Sequence, residues 1–214
     1  RATYDYRVLQ PASVTDPNEN AAHFLYTPLG LLDRQFLTGR QGEGGSSEKP
    51  EVAFSYDLLA YANTCHLDEP QPVHVHTVRR IYHASDGISD ETIEASEYSD
   101  GFGRLLQTRA QAEDLVFGDA GDDVGLPLDM ESAPGMAEGV REDDRVVVSG
   151  WQVYDNKGQV IEKYEPFFDN GWDYLPEEDA KQGQHVTMYY DPRGQVIRTV
   201  NPDGSEQRVI YGVP

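Results

Sequence analysis

YYDPRGQVIRTVNPDGSEQRVIYG, residues Tyr189 to Gly212, holds two similar tetrapeptides, Asp191-Pro192-Arg193-Gly194 and Asn201-Pro202-Asp203-Gly204, that start ten positions apart. Each has the chemistry of a tight turn. An Asp or Asn side chain accepts a bond from a backbone N–H two residues on, proline pre-sets φ for the next position, and glycine tolerates the left-handed conformation that follows. A type I turn followed by a left-handed glycine is a common short hairpin loop with a bulge. Between the tetrapeptides, Gln195 to Val200 is rich in β-branched residues, and six residues reach roughly 20 Å as a strand. The stretch therefore predicts a three-stranded meander, with Pro192 and Pro202 placed where no ladder hydrogen bond is needed.

The same punctuation recurs upstream. Aligned on glycine, Tyr190-Asp191-Pro192-Arg193-Gly194-Gln195-Val196 matches Tyr154-Asp155-Asn156-Lys157-Gly158-Gln159-Val160. Weaker copies are Ser99-Asp100-Gly101-Phe102-Gly103-Arg104-Leu105 and Tyr26-Thr27-Pro28-Leu29-Gly30-Leu31-Leu32. Asp16-Pro17-Asn18 offers another turn, with Glu19 where glycine is expected. Internal repetition of this kind marks units that cannot bury their faces alone. The glycines at 30, 103, 158 and 194 are 73, 55 and 36 residues apart, so insertions separate the hairpins.

The Tyr-Asp-x-x-Gly-x-Val/Leu segments resemble the YD repeats of Rhs proteins and of the B and C components of bacterial Tc toxin complexes. The resemblance is strongest over Trp151 to Gly212. Irregular spacing and the long opening stretch YDYRVLQPASVTDPNENAAHFLYTPLG make the B component, or a close relative, the nearer match. In that family the repeats build a β-sheet strip that spirals into a hollow shell around a toxic segment. The resemblance thus implies hairpin turns built on Tyr154, Asp155, Gly158, Tyr190, Asp191 and Gly194, with Asp100, Gly103, Tyr26 and Gly30 in the degraded copies. Thr27 in place of aspartate, Ser99 in place of tyrosine and Leu31 in place of a polar residue depart from the pattern. Rhs-type shells also end in a self-cleaving segment containing Asp-Pro-x-Gly. Here that sequence, at Asp191 to Gly194, is part of the repeat itself, so no catalytic residue is carried over.

Composition sets limits. A chain of 214 residues suits one domain or one piece of a larger one, and its abrupt ends, without a charged-then-apolar leader from Arg1, predict a single fragment spanning 1–214. A hydrophobic share of 38% is low, as suits a sheet with one wet face, while 13 Tyr and 7 Phe supply large side chains to bury. No apolar run approaches membrane-spanning length, and membrane insertion is not expected. A formal net charge of −21 argues against nucleic acid, whose phosphates demand Lys/Arg patches. About half of that charge lies in residues 113–144, where Gly, Pro and Ala intervene without periodicity, which reads as an acidic, mobile insertion. One cysteine, Cys65, excludes an internal disulfide and multi-cysteine metal sites.

Elsewhere the chain reads as strands: Val73 to Ile81, Ile93 to Tyr98, and Val146 to Tyr154 running into the Asp155 turn and returning through Gln159 to Tyr164. Gln107 to Leu115 offers a short helix without a convincing cap. Frequent turns and few long periodic segments imply an all-β class: antiparallel hairpin meanders forming a curved sheet strip, with a long acidic loop.

Chemistry-bearing constellations are sparse. His74 and His76 share one side of a strand and form a workable zinc pair, with Cys65, His66 and His83 near in sequence. No third ligand has a defined spacing, and a wet strand face beside Arg79 and Arg80 is the favoured reading. Cys65-His66 are neighbours that usually point apart. Asp16, Asn18 and Asn20 imitate a calcium loop, but Ala21 stands where glycine is required and Thr27 where glutamate is. Carboxylate pairs such as Asp90-Glu91 and Glu177-Glu178, the latter in a turn after Tyr174-Leu175-Pro176, serve as acid and base only if folding brings two across a cleft. No catalytic, cofactor-binding or metal residue is assigned, and no cofactor is expected.

The leading functional reading is structural and non-enzymatic: a segment of the encapsulating shell of a secreted Tc-like or Rhs-like toxin. The resemblance implies as partners the other repeats of the shell, its toxic C-terminal cargo or C component, and a pore-forming toxin component. The alternative is an all-β module that binds carbohydrate or a host receptor through Trp151, Trp172 and exposed tyrosines.

Overall fold

A computed structural model describes residues 1–112, 145–174 and 184–212. The acidic stretch 113–144 and the Glu177-Glu178-Asp179 turn lie outside the described residues. The described chain is nearly all antiparallel β, and it divides into two compact units, Arg1–Leu58 with His74–Ser96, and Leu59–Val73 with Glu97–Pro214.

The first unit is a meander. β1 (Ala2–Asp5), β2 (Gln10–Thr15), β3 (Ala21–Tyr26), β4 (Leu32–Thr38), β5 (Val52–Asp57), β6 (Val73–Arg80) and β7 (Thr92–Ser99) lie side by side in chain order, the unit boundary falling inside β7. Registers follow from turn length: the β3–β4 hairpin pairs Ala21↔Thr38 through Leu25↔Arg34, then slips by one residue at Tyr26. Among the described residues this unit buries no apolar side chain completely, while Tyr6, Leu9, Leu29, Leu37, Ile88 and Ile93 are exposed. The described strands of this unit form one antiparallel layer, and a sheet with a wet face needs few apolar residues.

The second unit holds the core. The rest of β7, then β8 (Leu105–Gln111), β9 (Arg145–Ser149) and β12 (Phe167–Asn170) form one set of neighbours. β10 (Gln152–Tyr154), β11 (Val160–Tyr164), β13 (His185–Tyr190), β14 (Val196–Val200) and β15 (Glu206–Arg208) form a second sheet in that order. The meander expected over Tyr189 to Gly212 is present, with Thr187↔Val200 and Arg198↔Arg208 in register. Val146, Val148, Trp151 and Tyr164 are buried together, with Val153, Phe167 and Trp172 packed on them. The ring of Trp151 lies 5.7 Å from Tyr164, 6.3 Å from Phe167 and 6.0 Å from Tyr174 in tilted arrangements, the geometry aromatic quadrupoles favour.

Three expectations need correction. The stretch Gln107 to Leu115 does not start a helix, because Leu105–Gln111 is a strand paired with β9 through Thr108↔Ser149 and Ala110↔Val147. Gln107 and Arg109 both point inward on its two-residue period. Arg109 is satisfied there by Gln107 Oε1 at 2.9 Å, Asp169 Oδ2 at 2.5 Å and the Gly171 carbonyl, so polar residues occupy core positions and mask the strand pattern. Val146 to Tyr154 is not one strand either. Gly150, at φ +68°, ends β9, and β10 pairs instead with β11, so one predicted strand serves two sheets. The one α-helix among the described residues, α1 (Ala60–Thr64), lies in the β5–β6 connection, where no helix was expected.

Candidate functional site

The recurring turns are the most repeated piece of local chemistry in the chain. At the first well-formed copy, Gly158 N–H donates to the Asp155 carbonyl (3.0 Å) and Asp155 N–H to the Gln159 carbonyl (2.9 Å). The Asp155 carboxylate oxygen Oδ1 then accepts the N–H groups of Lys157 (2.9 Å) and Gln159 (2.8 Å). Asp191 repeats this with Arg193 and Gln195 at 2.8 and 2.9 Å. Gly158 and Gly194 take φ +79° and +82°, a conformation that costs a residue with Cβ roughly 1–2 kcal/mol.

The degraded copies build the same loop. Asp100 Oδ1 accepts from Phe102 and Arg104 at 2.8 and 2.9 Å, and its other oxygen takes the Arg104 guanidinium at 2.6 Å. At Tyr26 to Leu31 the Thr27 hydroxyl replaces the carboxylate, accepting only the Leu31 N–H, at 3.1 Å. Gly30 and Gly103 are left-handed too. The Asp16 turn closes in the same way, accepting Asn18 and Asn20 at 2.8 and 2.9 Å. There Glu19 itself adopts φ +71°, so the missing glycine does not abolish the turn. At two of these turns, those of Asp16 and Asp100, the ionised form of the aspartate is favoured. The Asn20 N–H holds Asp16 below the ordinary carboxylate range. Burial would raise Asp100, but the Arg104 and Phe102 N–H groups and the Arg104 guanidinium outweigh it and hold Asp100 low.

The tyrosine has a separate task. The Tyr190 hydroxyl donates to the Val160 carbonyl at 2.6 Å, and the Tyr154 hydroxyl to the Leu105 carbonyl at 2.9 Å. Tyr26 bonds the Pro11 carbonyl (2.8 Å), Tyr56 that of Leu32 (2.8 Å) and Tyr211 that of Val196 (3.0 Å). In all five the acceptor lies two residues after a left-handed turn residue, namely Gly158, Gly103, Leu9, Gly30 and Gly194. Each tyrosine therefore bolts its own stretch of chain to the mouth of an earlier hairpin. Where both strands pair directly, as in β2–β3, β4–β5, β11–β13 and β14–β15, the acceptor is one residue beyond the position opposite. Burial, followed by the charges of Asp5, Asp33 and Asp155, pushes Tyr26, Tyr56 and Tyr190 above the usual phenol range.

Glycine-anchored alignment misses two of the five, Tyr56 and Tyr211, and it also passes over Tyr4. Tyr4-Asp5 and Tyr56-Asp57 are Tyr-Asp dipeptides without glycine three residues on. The first turns through Leu9 at φ +57°, the second leads into α1. The dipeptide is the signal that finds both. At Ser99, where serine replaces tyrosine, the hydroxyl still donates to the Val73 carbonyl, at 3.4 Å.

Other candidate residues are placed as follows. His76 lies between Ser96 Oγ (2.9 Å from Nδ1) and Glu94 Oε2 (3.1 Å from Nε2). The composition is that of a serine–histidine–acid set, but Ser96 is 2% exposed and offers no face to a substrate. No group of three or more His, Cys, Asp or Glu among the described residues is arranged to hold a metal. Cys65 is an exposed thiol closing α1, donating weakly to the Ala62 carbonyl at 3.6 Å. Trp151, offered as a ligand-binding aromatic, is 2% exposed at the core. Trp172 packs against the same core, and its carbonyl accepts the Tyr98 hydroxyl.

No protein-family model and no curated protein matches the sequence. Solved structures do. The chain superposes on a TcdB2-TccC3 crystal structure with a TM-score of 0.75 at 24% identity, covering 98% of this chain and 11% of that one. TcdB2-TccC3 without its hypervariable C-terminal region gives 0.73 at 22%, covering 98% and 13%. A Tc holotoxin pore of Photorhabdus luminescens carrying a TccC3 mutation gives 0.69 at 20%, again covering 98% and 13%. The fold is shared over this stretch. The chain spans about an eighth of the length of the solved chains it matches.

Proposed function

We propose that the chain is a segment of the encapsulating shell of a secreted, Tc-like or Rhs-like bacterial toxin, with no enzymatic activity of its own. The observation that carries the proposal is the tyrosine bolt, repeated at five hairpins in strand-to-strand sequence. A device that ties each stretch of chain to an earlier hairpin extends a sheet without depending on a closed core. That is what a wall requires and what a compact catalytic domain does not. The likeness to Tc toxin chains over 98% of the sequence supports the same reading, as does a first unit whose sheet leaves large apolar side chains exposed. On this reading the partners are the neighbouring repeats of the shell, the toxic C-terminal cargo or C component, and a pore-forming component. The aspartate of the Asp-Pro-x-Gly sequence is already engaged by two backbone N–H groups, a turn role rather than a cleaving one.

The test is deletion from the parent toxin. Removing residues 1–214 should abolish protease resistance of the enclosed segment and leave the chemistry of that segment unchanged. Saturable hydrolysis of an ester, glycoside, peptide or nucleotide by the purified chain, lost on changing one His or Asp, would defeat the proposal.

A further inference from the structure

We propose that Arg109 and Asp169 set the register of β12 against β9, a choice that the apolar pattern of these two strands leaves open. The inference is independent of the shell reading, because it concerns how this stretch of chain reaches one fold rather than two.

After β9 the chain builds β10 and β11 in the other sheet and returns as β12 beside β9. The returning strand reads Phe167-Phe168-Asp169-Asn170 and meets Val146-Val147-Val148. Its pairing sets Phe167 against Val148, Phe168 against Val147 and Asp169 against Val146. Phe167 then packs on the buried cluster while Phe168 is exposed. A slip that sets Phe168 against Val148 would bury a phenylalanine in place of a phenylalanine, against valines that are all alike. The Arg145 carbonyl faces β8, where it accepts the Ala112 N–H at 3.0 Å. Val147 therefore turns its polar groups to β8 as well, and Val146 and Val148 turn theirs to β12. The opposite slip is closed for that reason, since it would set Pro166, which has no N–H, against the Val148 carbonyl. One competing register is left.

Asp169 breaks the tie. It lies on the same face of β12 as Phe167, and its carboxylate takes Arg109 Nη2 at 2.5 Å while the Gly171 carbonyl takes Nη1. Arg109 stands opposite Val148 on the far side of β9, so its side chain spans that strand. It is 1% exposed, and Gln107 Oε1 holds its Nε at 2.9 Å. A slip of one residue turns every side chain of a strand to the other face. Asp169 would leave, and Arg109 would remain as a buried charge without a counter-charge. Breaking a buried pair is strongly unfavourable, whereas replacing the whole pair by apolar residues is often neutral. What the pair contributes is therefore the exclusion of the slipped state.

The register is read by nuclear magnetic resonance of the full chain. Val147 meets β12 as a non-hydrogen-bonded pair, the kind whose α-carbons lie closest, so its α-proton should contact that of Phe168 in the unmodified chain and that of position 169 after the slip. Asp169→Asn combined with Asn170→Asp keeps composition and charge but moves the carboxylate by one residue. The Val147 contact should move with it, from 168 to 169. Arg109→Met combined with Asp169→Asn removes the ion pair and makes positions 169 and 170 alike, so both contacts should appear together. Arg109→Met combined with Asp169→Leu separates register from stability: its urea midpoint should be no lower than that of the unmodified chain. A Val147 contact that stays on Phe168 alone in either of the first two variants would overturn the proposal. Failure of either to fold, or a markedly lower midpoint in the third, would show that the pair is held for stability instead, and would overturn it as well.

Discussion

Replacing Tyr190 by phenylalanine removes one hydroxyl and keeps the ring, so packing is preserved and only the bolt is lost. The hydroxyl lies 2.6 Å from the Val160 carbonyl, and a net intramolecular hydrogen bond is worth about 0.5–1.5 kcal/mol. Val160 is only partly buried, so its carbonyl regains water and the larger penalty for an orphaned buried acceptor does not apply. The expected loss is therefore about 1 kcal/mol. Tyr189 supplies the control. It is 44% exposed, lies under the Arg198 guanidinium at 4.9 Å and makes no hydrogen bond with a described residue. Tyr189→Phe should stay within about 0.5 kcal/mol of the unmodified chain. Urea unfolding followed by the fluorescence of Trp151 and Trp172, both in the same unit as Tyr190, reads the difference as a shifted midpoint at constant slope. Alkaline pH gives an independent check. Burial and then Asp155 raise the Tyr190 phenol above its ordinary value of 10.0, so the stability held in its protonated form is complete below that value. As pH rises through it, the unfolded chain ionises first and the stability is lost. The advantage over Tyr190→Phe should shrink above pH 10. Tyr190→Phe indistinguishable from Tyr189→Phe, or a gap that persists unchanged into strong alkali, would refute the bolt.

Asp155→Ala strips two backbone N–H groups of their acceptor and should cost about 1–2 kcal/mol in thermal unfolding, as loss of a capping side chain does, whereas Asp155→Asn keeps an acceptor and should cost much less. Trp151→Ala empties the centre of the aromatic core and should destabilise the second unit by about 3–5 kcal/mol, seen as a lowered urea midpoint by far-ultraviolet circular dichroism. Asp16 and Asp100 are held below their ordinary carboxylate values, so the stability they contribute is present above about pH 4 and lost as pH falls through the depressed values. Asp100→Asn should flatten the acid limb of a stability-against-pH curve, and an unaltered limb would count against the turn carboxylate.

The all-β class and the turns were legible because their chemistry is local. Asp, Pro and Gly at fixed offsets dictate φ and hydrogen bonding over four residues, and even the Thr27 and Glu19 variants keep enough of it to close. What local chemistry omits is where an outgoing strand pairs. Nothing in Val146 to Tyr154 announces that Gly150 divides two sheets, because a β-branched run followed by aromatics suits one long strand as well as two short ones. Arg109 misleads for the opposite reason. Its partner Asp169 lies 60 residues away, so a buried charged position looks like a solvated helix face until the fold supplies its counter-charge. The tyrosine role was only half legible. A regularly placed ring announces burial, whereas the hydroxyl finds an acceptor that carries no side-chain identity at all.

That last property bears on how such a chain changes over evolutionary time. A contact between two side chains binds two codons together, and neither drifts freely without the other. Here the donor is encoded within one unit and the acceptor is a main-chain oxygen, available whatever amino acid occupies the site, as Pro11, Leu32, Leu105, Val160 and Val196 illustrate. A unit can be duplicated, lost or exchanged between genes and still find its fastening point on an unfamiliar neighbour. Stretches as long as those separating Gly30, Gly103, Gly158 and Gly194 can then be inserted between units without compensating substitutions elsewhere. Recombination, rather than point substitution, becomes the natural currency of variation in a molecule joined in this way.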